Sequence, residues 1–130
     1  MSDVSVSGLF PVPFMRVREA IPGDAVAALI SAAKRDATET NSRSSRLSHT
    51  IVCTPDARAE FGCVDELVKP RLVEFGSLIF GEDLEWTIKE MWLNRLLPGG
   101  SQALHSHANS FISGVIYLTK SHPSTRTVFY

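Results

Sequence analysis

Apolar and polar positions change their spacing three times along this chain. Val26, Leu29, Ile30 and Ala33 recur at i, i+3, i+4 and i+7, the spacing of one helix face packed on a neighbour. Pro22-Gly23-Asp24 marks the start, with Asp24 as the expected N-cap, and Lys34 and Arg35 suit the negative end of the helix dipole. A second helical stretch runs through Phe61, Val64, Leu67, Val68, Leu72, Phe75 and Ile79 at steps of three and four. Pro70 interrupts it, which predicts a kink or two shorter helices, and Gly81 closes it. From Trp86 to Leu93 the pattern becomes alternation, with Trp86, Ile88, Glu90 and Trp92 on one face and Thr87, Lys89, Met91 and Leu93 on the other. This predicts a strand. A dense β-branched and aromatic run, Phe111 to Leu118, predicts a buried strand, with Asn109-Ser110 as the bend before it.

The remaining segments are read from their breakers and polarity. Residues 8–18 contain Pro11 and Pro13, which disfavour helix and confine an extended segment to a sheet edge. Residues 37–48 are almost free of apolar side chains, cannot repay ordering by burial, and are expected to form a solvated loop. His49 to Cys53 reads as a short strand, and His49 as a strand-end residue rather than a ligand. Helices followed by strands predict an α+β domain with a sandwich or barrel at its C-terminal end. The whole chain is expected to be one domain, with residues 1–84 the helical part and 85–130 the sheet part.

Composition narrows the function classes. A chain of 130 residues with 21% charged side chains can bury one modest core. A formal net charge of −1 gives no electrostatic case for nucleic acid or an anionic membrane, so small-molecule or peptide partners are expected. Cys53 and Cys63 have neither zinc-ribbon nor redox-pair spacing. With no secretory signal and no apolar run of membrane-spanning length, a cytoplasmic location is expected. No P-loop, dinucleotide fingerprint or serine nucleophile elbow is present, and Gly99-Gly100 has no Lys-Ser/Thr after it.

The chemistry concentrates in residues 98–130. Pro98-Gly99-Gly100 predicts a turn leading into a strand. On that strand His105 and His107 point to the same side, about 6.5–7 Å apart along the backbone, close enough for both rings to reach one ion. Imidazole ligates iron, zinc, copper and nickel alike. Two histidines on an exposed strand need no ligand, but a pair at the mouth of a turn, backed by a buried strand, reads as a pocket wall. Asn94 shares a face with Trp92 and offers an amide to a ligand, or else serves as a turn residue near Pro98.

Three stretches together resemble a known family: Leu9-Phe10-Pro11-x-Pro13, then Trp86-x-Ile88-x-x-x-Trp92-x-Asn94, then Gly100 and His105-x-His107-x-Asn109-Ser110-x-x-Ser113-Gly114-x-x-Tyr117-Leu118. The pattern is similar to that of the 2-oxoglutarate/Fe(II)-dependent oxygenases, in particular a small bacterial and phage branch. The resemblance implies a double-stranded β-helix, a jelly roll flanked by N-terminal helices. It implies Fe(II) and 2-oxoglutarate as cofactors, with a hydroxylation reaction. By the resemblance His105 takes the first metal-ligand position, and His107 falls where many relatives carry an acidic residue. Tyr117 becomes a candidate to contact the oxoacid, beside the reading of it as a core aromatic.

In the family the last iron-binding histidine and the arginine for the oxoacid lie well beyond the Tyr-Leu strand. The chain is therefore expected to present the first part of the jelly roll with an open sheet edge, which recruits a partner or a second copy. His122, next to Pro123 in a turn, and Arg126 are not expected to fill those roles. The alternative is a cupin-like metal- or sugar-binding module, since Gly99 and His105-x-His107 match the opening of a cupin motif. Phe111 and Ile112 stand where its glutamate is expected. A third reading is an interaction domain that keeps only the scaffold.

Overall fold

The computed structural model describes residues 12–129. Two helices pack on a three-stranded antiparallel sheet, an α+β arrangement. Helix α1, Gly23–Asp36, forms where the apolar stripe predicts it and buries Leu29 and Ala32. Pro22, not Asp24, occupies the N-cap position, and no side chain caps the helix. Asp24 is the second residue of the helix, in its first turn, accepting a hydrogen bond from the Ala25 N–H at 2.9 Å, where its charge still complements the dipole.

Helix α2, Ala59–Phe80, is one helix of 22 residues with Pro70 inside it. Pro70 removes one backbone donor, but the flanking turns carry enough packing to keep the helix continuous. Phe61, Val64 and Gly76 are its buried positions. Gly81 ends it as expected, in the left-handed conformation at φ 76°, its N–H donating to the Ser77 carbonyl at 2.8 Å. Ile21, Leu29, Ala32, Phe61, Val64 and Leu93 form the core between the helices and the sheet, with Met91, Cys53 and Leu118 packed against it.

An ion network ties the C-terminus of α1 to the N-terminus of α2. The Arg58 guanidinium donates to Asp36 and, at 2.9 Å, to Glu60, and lies 5.3 Å from the centre of the Phe61 ring. Arg58 holds the Asp36 carboxyl below its ordinary range, with help from Arg35. Glu60 is lowered as well, first by its own backbone N–H and then by Arg58.

The sheet runs β1 (Glu39–Thr40), β2 (Ser45–His49), β3 (Asn94–Ser101), in that order. Residues 37–48 are thus a hairpin and not the expected loop. Its turn is built by Asn41, whose side-chain oxygen accepts the Arg43 N–H at 2.9 Å while its carbonyl accepts the Ser44 N–H at 3.0 Å. Such Asx turns stabilise polar segments without burial, and Leu47 supplies the one buried apolar anchor of β2. The short strand expected at His49 to Cys53 is displaced: β2 ends at His49, and Cys53 makes an isolated bridge to Met91.

Pro98-Gly99-Gly100 lies within β3, not ahead of a new strand. Ser45 pairs with Ser101 and Leu47 with Leu96, so a bulge on β3 faces Arg46. Gly99 and Arg46 both take positive φ, 75° and 54°. At Gly100 a Cβ would stand 2.7 Å from the Ser45 carbonyl oxygen, so only glycine fits there.

The other expected strands do not form among the described residues. Trp86 to Leu93 keeps the alternation only at its end, where Met91 and Leu93 face the core. Residues 102–107 and 111–118 carry no ladder. Their composition suits strands, but strand N–H and C=O groups need a neighbouring chain, and nothing pairs along the outer edge of β3 among the described residues. Phe111, Val115 and Tyr117 are accordingly exposed instead of buried, while Leu118 returns to the core. The bend at Asn109 is present, with Asn109 left-handed at φ 65°. The motif at Leu9-Phe10-Pro11 lies outside the described residues.

Candidate metal centre

The sheet has a helix-covered face and a more open one, on which Asn94 is exposed although Leu47 is buried. Leu93 is buried in the core and Met91 packs on it, so their neighbours Trp92 and Asn94 project to the opposite side. On β2, His49 lies directly opposite Asn94, and on β1 Glu39 lies opposite His49. Register partners share a face. Glu39, His49 and Asn94 therefore form a polar row across the open face.

The end of β2 is fixed by Thr50, which is fully buried. Its hydroxyl accepts the Leu93 N–H at 3.0 Å and its own N–H donates to the Leu93 carbonyl at 3.0 Å. A buried threonine thus replaces the next ladder bond and locks the Trp92–Asn94 backbone.

Residues 102–107 cross near this face through two ties. The Ala103 N–H donates to the Ser44 hydroxyl at 3.3 Å, hanging the segment on the β1–β2 hairpin. The His107 ring stacks on Trp92, with centroids 6.0 Å apart and 26° between planes. His105 and His107 meet edge to face at 4.9 Å between centroids, so both imidazoles come together without the strand that was expected to align them.

The protonation pattern of His105 follows from its partner. His105 Nδ1 lies 2.9 Å from the Ala103 carbonyl oxygen, which can only accept, so Nδ1 carries the proton and Nε2 keeps its lone pair. That arrangement presents Nε2 as a metal ligand and fixes the ring through the backbone. His49 repeats it, with Nδ1 2.8 Å from the Thr50 carbonyl. His122 is the reverse: its Nδ1 accepts the Ser124 N–H at 3.2 Å and lies 2.7 Å from the Ser124 hydroxyl.

No hydrogen bond or ring contact joins Asn94 or Tyr117 to the pair among the described residues. Tyr117 is exposed, and its hydroxyl is hydrogen-bonded to the Thr127 hydroxyl. The Asn94 amide makes no side-chain hydrogen bond among the described residues. A surface depression of about 550 Å³ lies between Glu19–Gly23 and Leu67 and contains none of the candidates. No group of three or more His, Cys, Asp or Glu side chains is close enough to hold one ion among the described residues. All 14 side-chain carboxylates occur at or before Glu90, so none lies in residues 91–130. What the sequence reading missed is the placement of Ser44, the stacking of Trp92 and the position of His49 beside Asn94. The alternation at Trp92 and Asn94 signals the open face; the β2–β3 register that brings His49 there has no local sequence signal.

No helix among the described residues is long and apolar enough to cross a membrane. A family model described as "Putative 2OG-Fe(II) oxygenase" matches residues 90–130, less than half of the chain but the part that holds Asn94, His105, His107 and Tyr117. Comparisons with curated proteins and with solved structures give no match.

Proposed function

We propose that this chain is an Fe(II)- and 2-oxoglutarate-dependent dioxygenase of the hydroxylase type, built on the first part of a jelly roll. The observation that carries the reading is the contact between the His105 and His107 rings inside the segment matched by the oxygenase family model. The donor chemistry fits a first-row metal: His105 has its Nδ1–H anchored on the Ala103 carbonyl and its Nε2 available, and His107 stands beside it on the Trp92 ring. His105 and His107 would hold the iron, and Asn94 and Tyr117 would contact 2-oxoglutarate. When bound, the iron would supply hydroxylation coupled to oxidative decarboxylation of 2-oxoglutarate. The chain's own residues orient and shelter: Ala103 fixes the His105 tautomer, Trp92 covers one face of His107, and Asn94 lies on the same open sheet face as Trp92.

Substrates of this reading are small molecules or peptides, reached through the open face, and the unpaired edge of β3 suits a second copy of the chain. The test is 2-oxoglutarate turnover by the purified chain with Fe(II) and O₂. Succinate formation that is lost in His105→Ala supports the reading. Metal binding without any effect of 2-oxoglutarate would replace it with the cupin-like metal-binding module.

A further inference from the structure

Residues 102–107 run without a ladder, yet the two imidazoles they carry meet at 4.9 Å between centroids. A contact from outside the segment must fix its course, because backbone without a pairing partner is free to take many conformations. His107 has a mount on the sheet, the Trp92 ring at 6.0 Å. His105 has no mount of that kind. Its ring is exposed, and its one hydrogen bond among the described residues goes to the Ala103 carbonyl, within its own segment, at 2.9 Å. That bond fixes the ring relative to Ala103, so the placement of Ala103 decides where the ring stands.

Ala103 is held from the β1–β2 hairpin. Its N–H donates to the Ser44 hydroxyl at 3.3 Å, and both residues are half-buried, where a hydrogen bond is stronger than in open water. Among the described residues no other side chain bonds to residues 102–107 from another element. Ser44 is itself clamped on both sides: its N–H donates to the Asn41 carbonyl at 3.0 Å, and the next residue, Ser45, pairs with Ser101. Further back on β3, the Arg46 guanidinium donates to the Pro98 carbonyl at 2.8 Å. Two side chains of one hairpin, Arg46 and Ser44, thus pin both ends of the passage from β3 into the histidine segment.

We propose that Ser44 is a positioning residue of the His105–His107 centre: by holding Ala103 it sets the place and the tautomer of the His105 ring, while Trp92 separately seats His107. The link is two hydrogen bonds in series, Ala103 N–H to the Ser44 hydroxyl and His105 Nδ1–H to the Ala103 carbonyl. With the first bond made, Ala103 keeps one orientation, its carbonyl faces Nδ1, and Nε2 stays free for a cation. Without it, the segment turns about its own single bonds and the carbonyl leaves Nδ1. The purpose of this device rests on the reading that His105 and His107 bind metal, but its geometry is testable in the metal-free chain.

The experiment compares the wild-type chain with Ser44→Ala and with Ser44→Thr, which keeps the acceptor. Nitrogen NMR of the imidazoles without metal, at about pH 8.5 where imidazole is neutral, reads which ring nitrogen carries the proton. The ring-proton shifts of His107 read its seat on Trp92, and calorimetric titration with Co(II) reads affinity. Far-UV circular dichroism establishes that each variant is folded; if Ser44→Ala does not fold, Ser44→Gly takes its place. The expected result is a protonated Nδ1 at His105 in wild type and Ser44→Thr and a mixture of tautomers in Ser44→Ala. His107 shifts should be unchanged in all three, and Co(II) affinity about tenfold lower in Ser44→Ala alone. An unchanged His105 tautomer in folded Ser44→Ala overturns the role of Ser44 and leaves the metal reading standing. Loss of the His107 shifts together with the His105 tautomer overturns it too, because the hairpin then only supports the face as a whole. Wild type that takes up no Co(II), with the tautomer still lost in Ser44→Ala, overturns the metal reading and leaves the positioning contact in place.

Discussion

Replacing Thr50 with Val tests how the sheet is joined to the candidate centre. Thr50 is fully buried, and its hydroxyl is the acceptor for the Leu93 N–H at 3.0 Å. Valine matches the shape of threonine but cannot accept that bond, so a buried donor loses its partner at a cost of about 1–3 kcal/mol. The added methyl offsets up to roughly 0.8 kcal/mol by burial. With the full offset a net loss of about 0.2–2.2 kcal/mol follows, or roughly 1–9 °C in Tm for a chain of this size. Urea unfolding should show a lower midpoint at unchanged slope. Amide hydrogen exchange supplies the local readout: the Leu93 amide should exchange faster in Thr50→Val and stay protected in Thr50→Ser, which keeps the acceptor. Equal stability and an equally protected Leu93 amide in Thr50→Val would refute the assignment of this bond as the device that ends β2 and fixes Trp92–Asn94.

Three further outcomes follow from the packing and the charges. In Gly76→Ala the new Cβ would lie 2.4 Å from Trp86 Nε1, so the indole must leave its seat on α2; a loss of about 1–3 kcal/mol and red-shifted tryptophan fluorescence are expected. Asp36 and Glu60 have lowered pKa values, to which Arg58 contributes in both, so their contribution to stability is complete above the ordinary carboxylate range near pH 4 and is lost as pH falls through the lowered values. Thermal melts between about pH 5 and pH 2 should therefore fall more steeply in wild type than in Arg58→Met. Gly100→Ala should loosen the β2–β3 bulge, because the Ser45 and Leu97 carbonyl oxygens lie 2.7 and 2.9 Å from the new methyl position; faster exchange of the β3 amides would register it.

The helices were legible because their signals are local. The stripe of Val26, Leu29, Ile30 and Ala33 predicts α1, and the steps from Phe61 to Ile79 predict α2, since a helix closes its hydrogen bonds within itself. Two local signals misled for physical reasons: Asp24 lies inside α1 because Pro22 already supplies the extended entry, and Pro70 costs α2 a bond without dividing it. The sheet was less legible because a strand depends on its partner. Residues 37–48 form a hairpin through the Asn41 turn, which hydropathy does not register. Phe111 to Leu118 has strand composition but no strand neighbour, so Phe111, Val115 and Tyr117 lie exposed. For the candidate centre, the His105-x-His107 spacing was enough to bring out the pair. His49 could not be found by spacing, because its nearness to Asn94 is a matter of register between β2 and β3, strands separated by the whole of α2.

The central claim is that His105 and His107 hold iron in a form that 2-oxoglutarate can join. Anaerobic titration of the chain with Fe(II), followed by 2-oxoglutarate, tests it most directly through the weak visible charge-transfer band of the chelate. The account predicts a band that appears on adding 2-oxoglutarate to the wild-type chain and is missing in His105→Ala. A folded wild-type chain that shows no band, or a band of equal strength in His105→Ala, would contradict it.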